Sequence, residues 1–208
     1  MQIGERFNSA THLLGFFLAI GAAILLLLRV DRSGADAVAL ASCLVFAVAM
    51  ISVYFCSTAY HWSHGKQKGF WQKADHCSIF LLIAGTYTPL GLIPLRDAWG
   101  IPMTTAVWLL AVLGILRELR ASSMEPSVLQ YLAMGWIGVM AAIPIMSNLS
   151  ISALIWLIVG VCCYTAGIAF YQNDHRWRHA HGIWHLFVLG GTASHVLMVL
   201  AFMPARSI

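Results

Sequence analysis

Two imidazoles stand four residues apart at the head of a strongly apolar run, in His181-Gly-Ile-Trp-His185. On a helix that spacing places both side chains on one face, one turn apart. Neutral imidazoles so arranged suit a zinc ion, which takes nitrogen ligands at about 2.0–2.1 Å and keeps three protein ligands where it also admits water. A third ligand must come from another helix, and His61 is the best placed. Asp75, short and at the head of another apolar run, could bond the water that such a site admits and take its proton. Ser57, one turn deeper than His61, could hold the same water. Asp75 and Ser57 are therefore the expected catalytic pair, and His61, His181 and His185 the expected metal ligands. Glu5, Asn8 and His12, spaced i, i+3, i+7, make a further polar face on a helix entering the apolar region.

Each feature alone has a plainer reading. A lone His-x-x-x-His in a membrane helix commonly serves hydrogen bonds between helices. Ser57 alone would bond its own backbone, and Asp75 alone would cap a helix facing water. His12 and His76 stay open between outer support of the site and simple packing, and Glu5 and Asn8 carry no assigned role. His195 lies ten residues beyond His185, about 15 Å along a helix, too far to share one metal. It either bonds across a close helix contact near Gly190 and Gly191 or lines an inner cavity. Haem is the rival for histidines spaced as His181 and His195 are, but it needs a matching pair on a facing helix. His12 has only Leu25 and Leu26 at the corresponding distance.

These residues must be positioned by membrane helices. The chain of 208 residues is 60% hydrophobic and only 10% charged, whereas a soluble domain carries roughly 25% charged residues. Seven stretches are long enough to cross a bilayer, at about 9–28, 37–60, 76–95, 98–117, 126–146, 149–171 and 181–203. The expected architecture is all-α, one integral membrane bundle of seven transmembrane helices spanning 1–208. Lys and Arg number eight at one set of ends (Arg6, Lys66, Lys68, Lys73, Arg117, Arg120, Arg176, Arg178) and four at the other (Arg29, Arg32, Arg96, Arg206). The positive-inside rule then predicts a cytoplasmic N-terminus and an external C-terminus. Four helices bring polar groups to that one cytoplasmic end. The five cysteines read as small apolar residues without a disulfide framework. No cleavable signal peptide is evident. A net charge of +4 spread over loops excludes nucleic acid as a partner and leaves membrane lipid.

The set Glu5-x-x-Asn8-x-x-x-His12, Ser57-x-x-x-His61, Asp75 and His181-x-x-x-His185 resembles the signature of the haemolysin III family, the bacterial branch of the progestin and adipoQ receptors. "DHCSIFLLIAGTYTPL", from Asp75 to Leu90, is similar to that family's third helix, and "STAYH" and "HGIWHLF" fit it as well. The resemblance covers essentially the whole chain. It implies seven helices, a cytoplasmic N-terminus, a bacterial inner-membrane location, and a zinc ion on His61, His181 and His185 with Asp75 and Ser57 close by. The wider superfamily includes alkaline ceramidases, which are zinc amide hydrolases, and hormone or adipokine receptors. The expected function is hydrolysis of a lipid amide or ester in membrane lipid homeostasis. The alternative is a zinc-stabilised sensor of a lipid-like ligand, and a pore-forming haemolysin ranks last because no span carries a charged stripe.

Overall fold

The computed structural model describes residues 3–121 and 125–203; Arg206, counted above at the outer end, lies outside the described residues. Among the described residues there is no strand. The helices are α1 (Ile3–Ser33), α2 (Ala37–Trp62), α3 (Lys66–Leu92), α4 (Ile101–Arg120), α5 (Val128–Gly135), α6 (Ala142–Asn148), α7 (Ile151–Gln172) and α8 (Ala180–Phe202). Leu14, Phe17, Val48, Leu109, Ile143 and Ile151 point outward, while Ser42, Thr86, Thr88, Thr192 and five histidines are buried. Apolar outside and polar inside is the arrangement of a chain whose solvent is lipid. Six segments are long and apolar enough to cross a membrane: Glu5–Ser33, Ala37–Trp62, Arg96–Arg120, Val128–Asn148, Ile151–Gln172 and Ala180–Phe202.

The helix missing from those six is α3, which has 27 residues. It packs against α2, α4, α5 and α8, and from Gly85 to Gly91 every residue is buried. A helix wrapped by other helices meets little lipid, so it tolerates Thr86, Thr88 and an internal Pro89. It also begins at Lys66, ten residues before the expected 76. Hydropathy reads where lipid starts, whereas Lys66-Gln67-Lys68 and Gln72-Lys73-Ala74 are good helix formers that extend the helix into polar surroundings. Asp75 therefore sits inside a helix and not at its start.

Two turns set the first helices antiparallel. Gly34 takes φ 66° after α1, and Asp36 caps α2 by accepting the Ala39 N–H at 2.9 Å. The same carboxylate receives Arg96 at 2.6 Å, which ties this turn to the α3–α4 connection. That connection contains Pro94, Arg96 and Asp97, with Pro102 in the first turn of α4, and its backbone breaks at Ala98. Gly91 and Gly100 approach so closely that a Cβ on Gly100 would run into the Gly91 carbonyl.

The fifth span, expected as one helix over 126–146, is broken. A 3-10 stretch at Ile137–Ala141 separates α5 from α6, between Gly135, Gly138 and Pro144. Tyr87 makes the break tolerable: its hydroxyl donates to the Gly135 carbonyl at 2.8 Å and accepts the Gly138 N–H at 2.9 Å. Backbone groups freed inside a membrane need such partners. Packing runs α4–α3–α2–α1–α8–α7, with α5 on α3 and α4. Along its length α7 packs on α8, and it makes no substantial contact with α5 or α6. Residues of α7 and of the broken span border one cavity.

Two outcomes are expected. Tyr87→Phe orphans both bonds at the break and should lower stability by about 1–3 kcal/mol in reversible unfolding in detergent; a break that holds itself would leave stability unchanged. The Ala39 N–H and the Arg96 guanidinium hold the Asp36 carboxyl below the usual carboxylate range. Its stabilisation is thus complete above that range and lost as pH falls through the depressed value. Asp36→Asn keeps a cap but should flatten that part of the acid limb of Tm against pH.

Candidate metal centre

α8 opens from a tight turn in which His179 takes a left-handed φ of 63°. The helix then presents His181 and His185 on one face toward the last turn of α2, where His61 stands. Ring centroids are 5.1 Å apart for His61 and His181, 5.0 Å for His61 and His185, and 4.8 Å for His181 and His185. One nitrogen from each ring lies within 4.8 Å of the other two. His61 and His185 are buried and His181 is partly open.

The outer partners of these rings decide which nitrogen faces inward. His61 Nδ1 lies 2.5 Å from Glu5 Oε2, and the other carboxylate oxygen of Glu5 takes Lys68 Nζ at 2.7 Å. His185 Nδ1 lies 3.1 Å from the Asn8 carbonyl and 3.0 Å from Thr11 Oγ1. The Thr11 hydroxyl gives its own proton to the Asn8 carbonyl at 2.8 Å. A carboxylate and a carbonyl only accept, so Nδ1 carries the hydrogen in His61 and in His185. His181 Nδ1 has the Asp174 carboxylate behind it at 3.4 Å. The Nε2 atoms of His61 and His185 therefore keep their lone pairs, and both are buried without a hydrogen-bond partner. Three nitrogen ligands with inward lone pairs and carboxylate or carbonyl partners outside are what a zinc ion requires. The donor set fits the metal.

The remaining expected residues divide. Glu5 backs His61. Asn8 takes part through its backbone carbonyl toward His185. His12 stacks on His185, with ring centroids 3.6 Å apart, and sets its edge against Tyr54 at 5.3 Å. Asp75 and Ser57 are both buried and lie beside each other across α2 and α3, although Ser57 Oγ reaches no hydrogen-bond partner. His76 turns away from the histidine group: its Nδ1 meets Glu118 Oε1 on α4 at 2.7 Å, and its carbonyl accepts from Tyr131 on α5 at 3.0 Å. It braces three helices.

Sequence reasoning passed over four residues. Thr11 sits beside His12 on the α1 polar face. Lys68 and Asp174 looked like loop charges. Glu118, only 2% exposed, was hidden between Arg117 and Arg120 because α4 runs on to Arg120 with this one side chain turned inward. Glu118→Ala should cost about 3 kcal/mol by leaving His76 buried without its partner, while metal content stays at the wild-type level. A loss of metal together with stability would put His76 back in the site.

A cavity of about 350 Å³ opens beside the histidine group, lined by His181 and Asp75 at one end and by Tyr87, Tyr164 and His195 at the other. His195 lies deep in the bundle against Gly160, where a Cβ would strike its ring. It lines the cavity, and its close helix contact is with Gly160 of α7 and not near Gly190 and Gly191. Gly191 instead packs under the Tyr164 ring, so the Gly190-Gly191 notch serves α7–α8 packing. Each cysteine is free.

The family model described as "Haemolysin-III related" matches residues 2–196. Hemolysin-3 of Bacillus cereus is 36% identical over 207 residues, 98% of this chain and 94% of that protein. The Hemolysin-3 homolog of Bacillus subtilis (strain 168) is 36% identical over 201 residues, 95% of this chain and 93% of that one. The human monocyte to macrophage differentiation factor is 25% identical over 170 residues, 76% of this chain and 69% of that protein. This chain belongs to the haemolysin III-related family of multi-pass membrane proteins.

Proposed function

We propose that the protein is a zinc-dependent hydrolase of a lipid amide or ester, with seven membrane helices, a cytoplasmic N-terminus, an external C-terminus, and residence in a bacterial inner membrane. In this reading α3 is the seventh crossing, shielded from lipid by its neighbours. Lys66, Lys68, Lys73, Arg117, Arg120, Arg176 and Arg178 mark the cytoplasmic end. The observation that carries the reading is the pair of buried, unpartnered Nε2 atoms on His61 and His185 beside His181.

Zinc held there supplies Lewis acidity, which polarises a carbonyl and makes water acidic near neutral pH. Asp75 takes the proton of the attacking water as general base. Ser57, buried beside Asp75, orients that water or donates to the developing oxyanion. The cavity excludes bulk water and takes an acyl chain. That chain enters sideways from the lipid, between α7 and the broken span that border the cavity.

A second reading is a sensor in which the metal clamps α2 to α8 and nothing is hydrolysed; the interhelical position of His61 against His181 and His185 favours it. The hemolysin names of the Bacillus relatives raise lysis, but His12, His61, His181 and His185 gather at one site beside the cavity.

Metal analysis of purified protein should find about one zinc per chain, lost in His181→Ala. Iron, or no metal, would sink the centre. Asp75→Asn should keep zinc and fold while lowering turnover by about 10²–10⁴-fold on a panel of ceramides, phospholipids and acyl esters. A zinc-loaded protein that cleaves nothing on the panel, with a cellular effect untouched by Asp75→Asn, would replace the hydrolase with the sensor.

A further inference from the structure

We propose that α1 is the positioning element of the metal centre: Glu5 and Thr11, which contribute no ligand, set its metal affinity by holding His61 and His185 with Nε2 inward. The inference rests on the metal-binding reading of the three histidines.

An imidazole has two faces to choose from, because a half-turn of the ring exchanges the sides on which Nδ1 and Nε2 lie. Among the described residues, the hydrogen-bond partners of Nδ1 in His61 and in His185 all come from α1. Glu5 receives the Nδ1–H of His61 on one oxygen, while Lys68 holds the other oxygen at 2.7 Å. Lys68 thereby keeps the carboxylate aimed at His61 and prevents it from swinging away. Thr11 and the Asn8 carbonyl take the Nδ1–H of His185, and the His12 ring lies flat on the same imidazole at 3.6 Å. His185 is thus fixed at its edge and on its face by one helix.

Glu5 and Thr11 are six residues apart, about 9 Å along α1, so a single rigid helix spans both ligands. A carboxylate behind an imidazole fixes its tautomer and raises its basicity as a ligand, and loss of such a partner commonly costs 10–100-fold in metal affinity. Thr11 is the weaker partner, since the Asn8 carbonyl remains when its hydroxyl is removed.

Zinc affinity is measured by competition with a chromophoric chelator on the full chain in detergent, for wild type, Glu5→Gln, Thr11→Val and Thr11→Ser. Helicity and thermal unfolding of the metal-free forms are recorded alongside. Glu5→Gln should weaken zinc by about 10–100-fold, and Thr11→Val by several-fold, with about one zinc per chain still bound at saturation. Thr11→Ser should restore affinity, because it returns the hydroxyl. Folded Glu5→Gln and Thr11→Val proteins that bind within about twofold of wild type would overturn the proposal and leave the metal centre standing. A Thr11→Val loss not restored by Thr11→Ser would overturn the part played by the hydroxyl. A wild-type protein that binds no zinc would overturn the metal-binding reading itself.

Discussion

In lipid, a polar group has no water to fall back on, and each buried donor or acceptor must be answered by another part of the chain. The interior of this bundle is organised by that constraint. The Nδ1–H groups of His61 and His185 are answered from α1, by Glu5, Thr11 and the Asn8 carbonyl. His76 and Glu118 answer one another between α3 and α4. Tyr54 and Tyr164 converge on Thr192 from α2 and α7, at 2.7 and 2.9 Å. Some buried atoms stay unanswered, among them Ser9 Oγ, Arg29 Nε and the ring nitrogens of His12 and His195; the Nε2 atoms of His61 and His185 are the ones that lie in the three-histidine group.

The same rule explains how the fifth span can break without unfolding. Its freed backbone groups at Gly135 and Gly138 are taken by one tyrosine hydroxyl from α3. A continuous helix at that position could close against α7. The broken one borders the cavity of about 350 Å³ that runs from Asp75 and His181 to His195. Irregular backbone at membrane depth is found where it is buried in protein or lines a cavity, and Gly135 and Trp136 are both on the cavity wall.

α3 shows how shielding changes what a helix is allowed to contain. Wrapped by α2, α4, α5 and α8, it carries Asp75, His76, Thr86, Thr88 and Pro89 through the bundle. Its apolarity falls short of the other spans for that reason, and its polar residues are available for chemistry. His76 and Asp75 are neighbours in sequence, yet a helix turns them about 100° apart. His76 goes to a structural brace with Glu118 while still bordering the cavity, and Asp75 lies on the cavity beside Ser57.

The sequence by itself determined that this chain lives in lipid and which apolar runs become helices, though not that α3 starts at Lys66 or that the 126–146 run is broken. It singled out His61, His181 and His185, which the fold brings together. Composition, apolar run length and the i, i+4 spacing are local properties, and they survive folding unchanged. It also marked Glu5, Asn8 and His12 as one face of α1 without saying what that face touches. Only the tertiary structure decided that Glu5 backs His61, that Thr11 and a main-chain carbonyl orient His185, and that His76 leaves the site for Glu118. Those choices depend on the rotation and depth of one helix against another, which packing sets and spacing along a single chain does not encode. The break at Gly135 and the inward turn of Glu118 were hidden for the same reason: their partners, Tyr87 and His76, lie about 50 and 42 residues away along the chain.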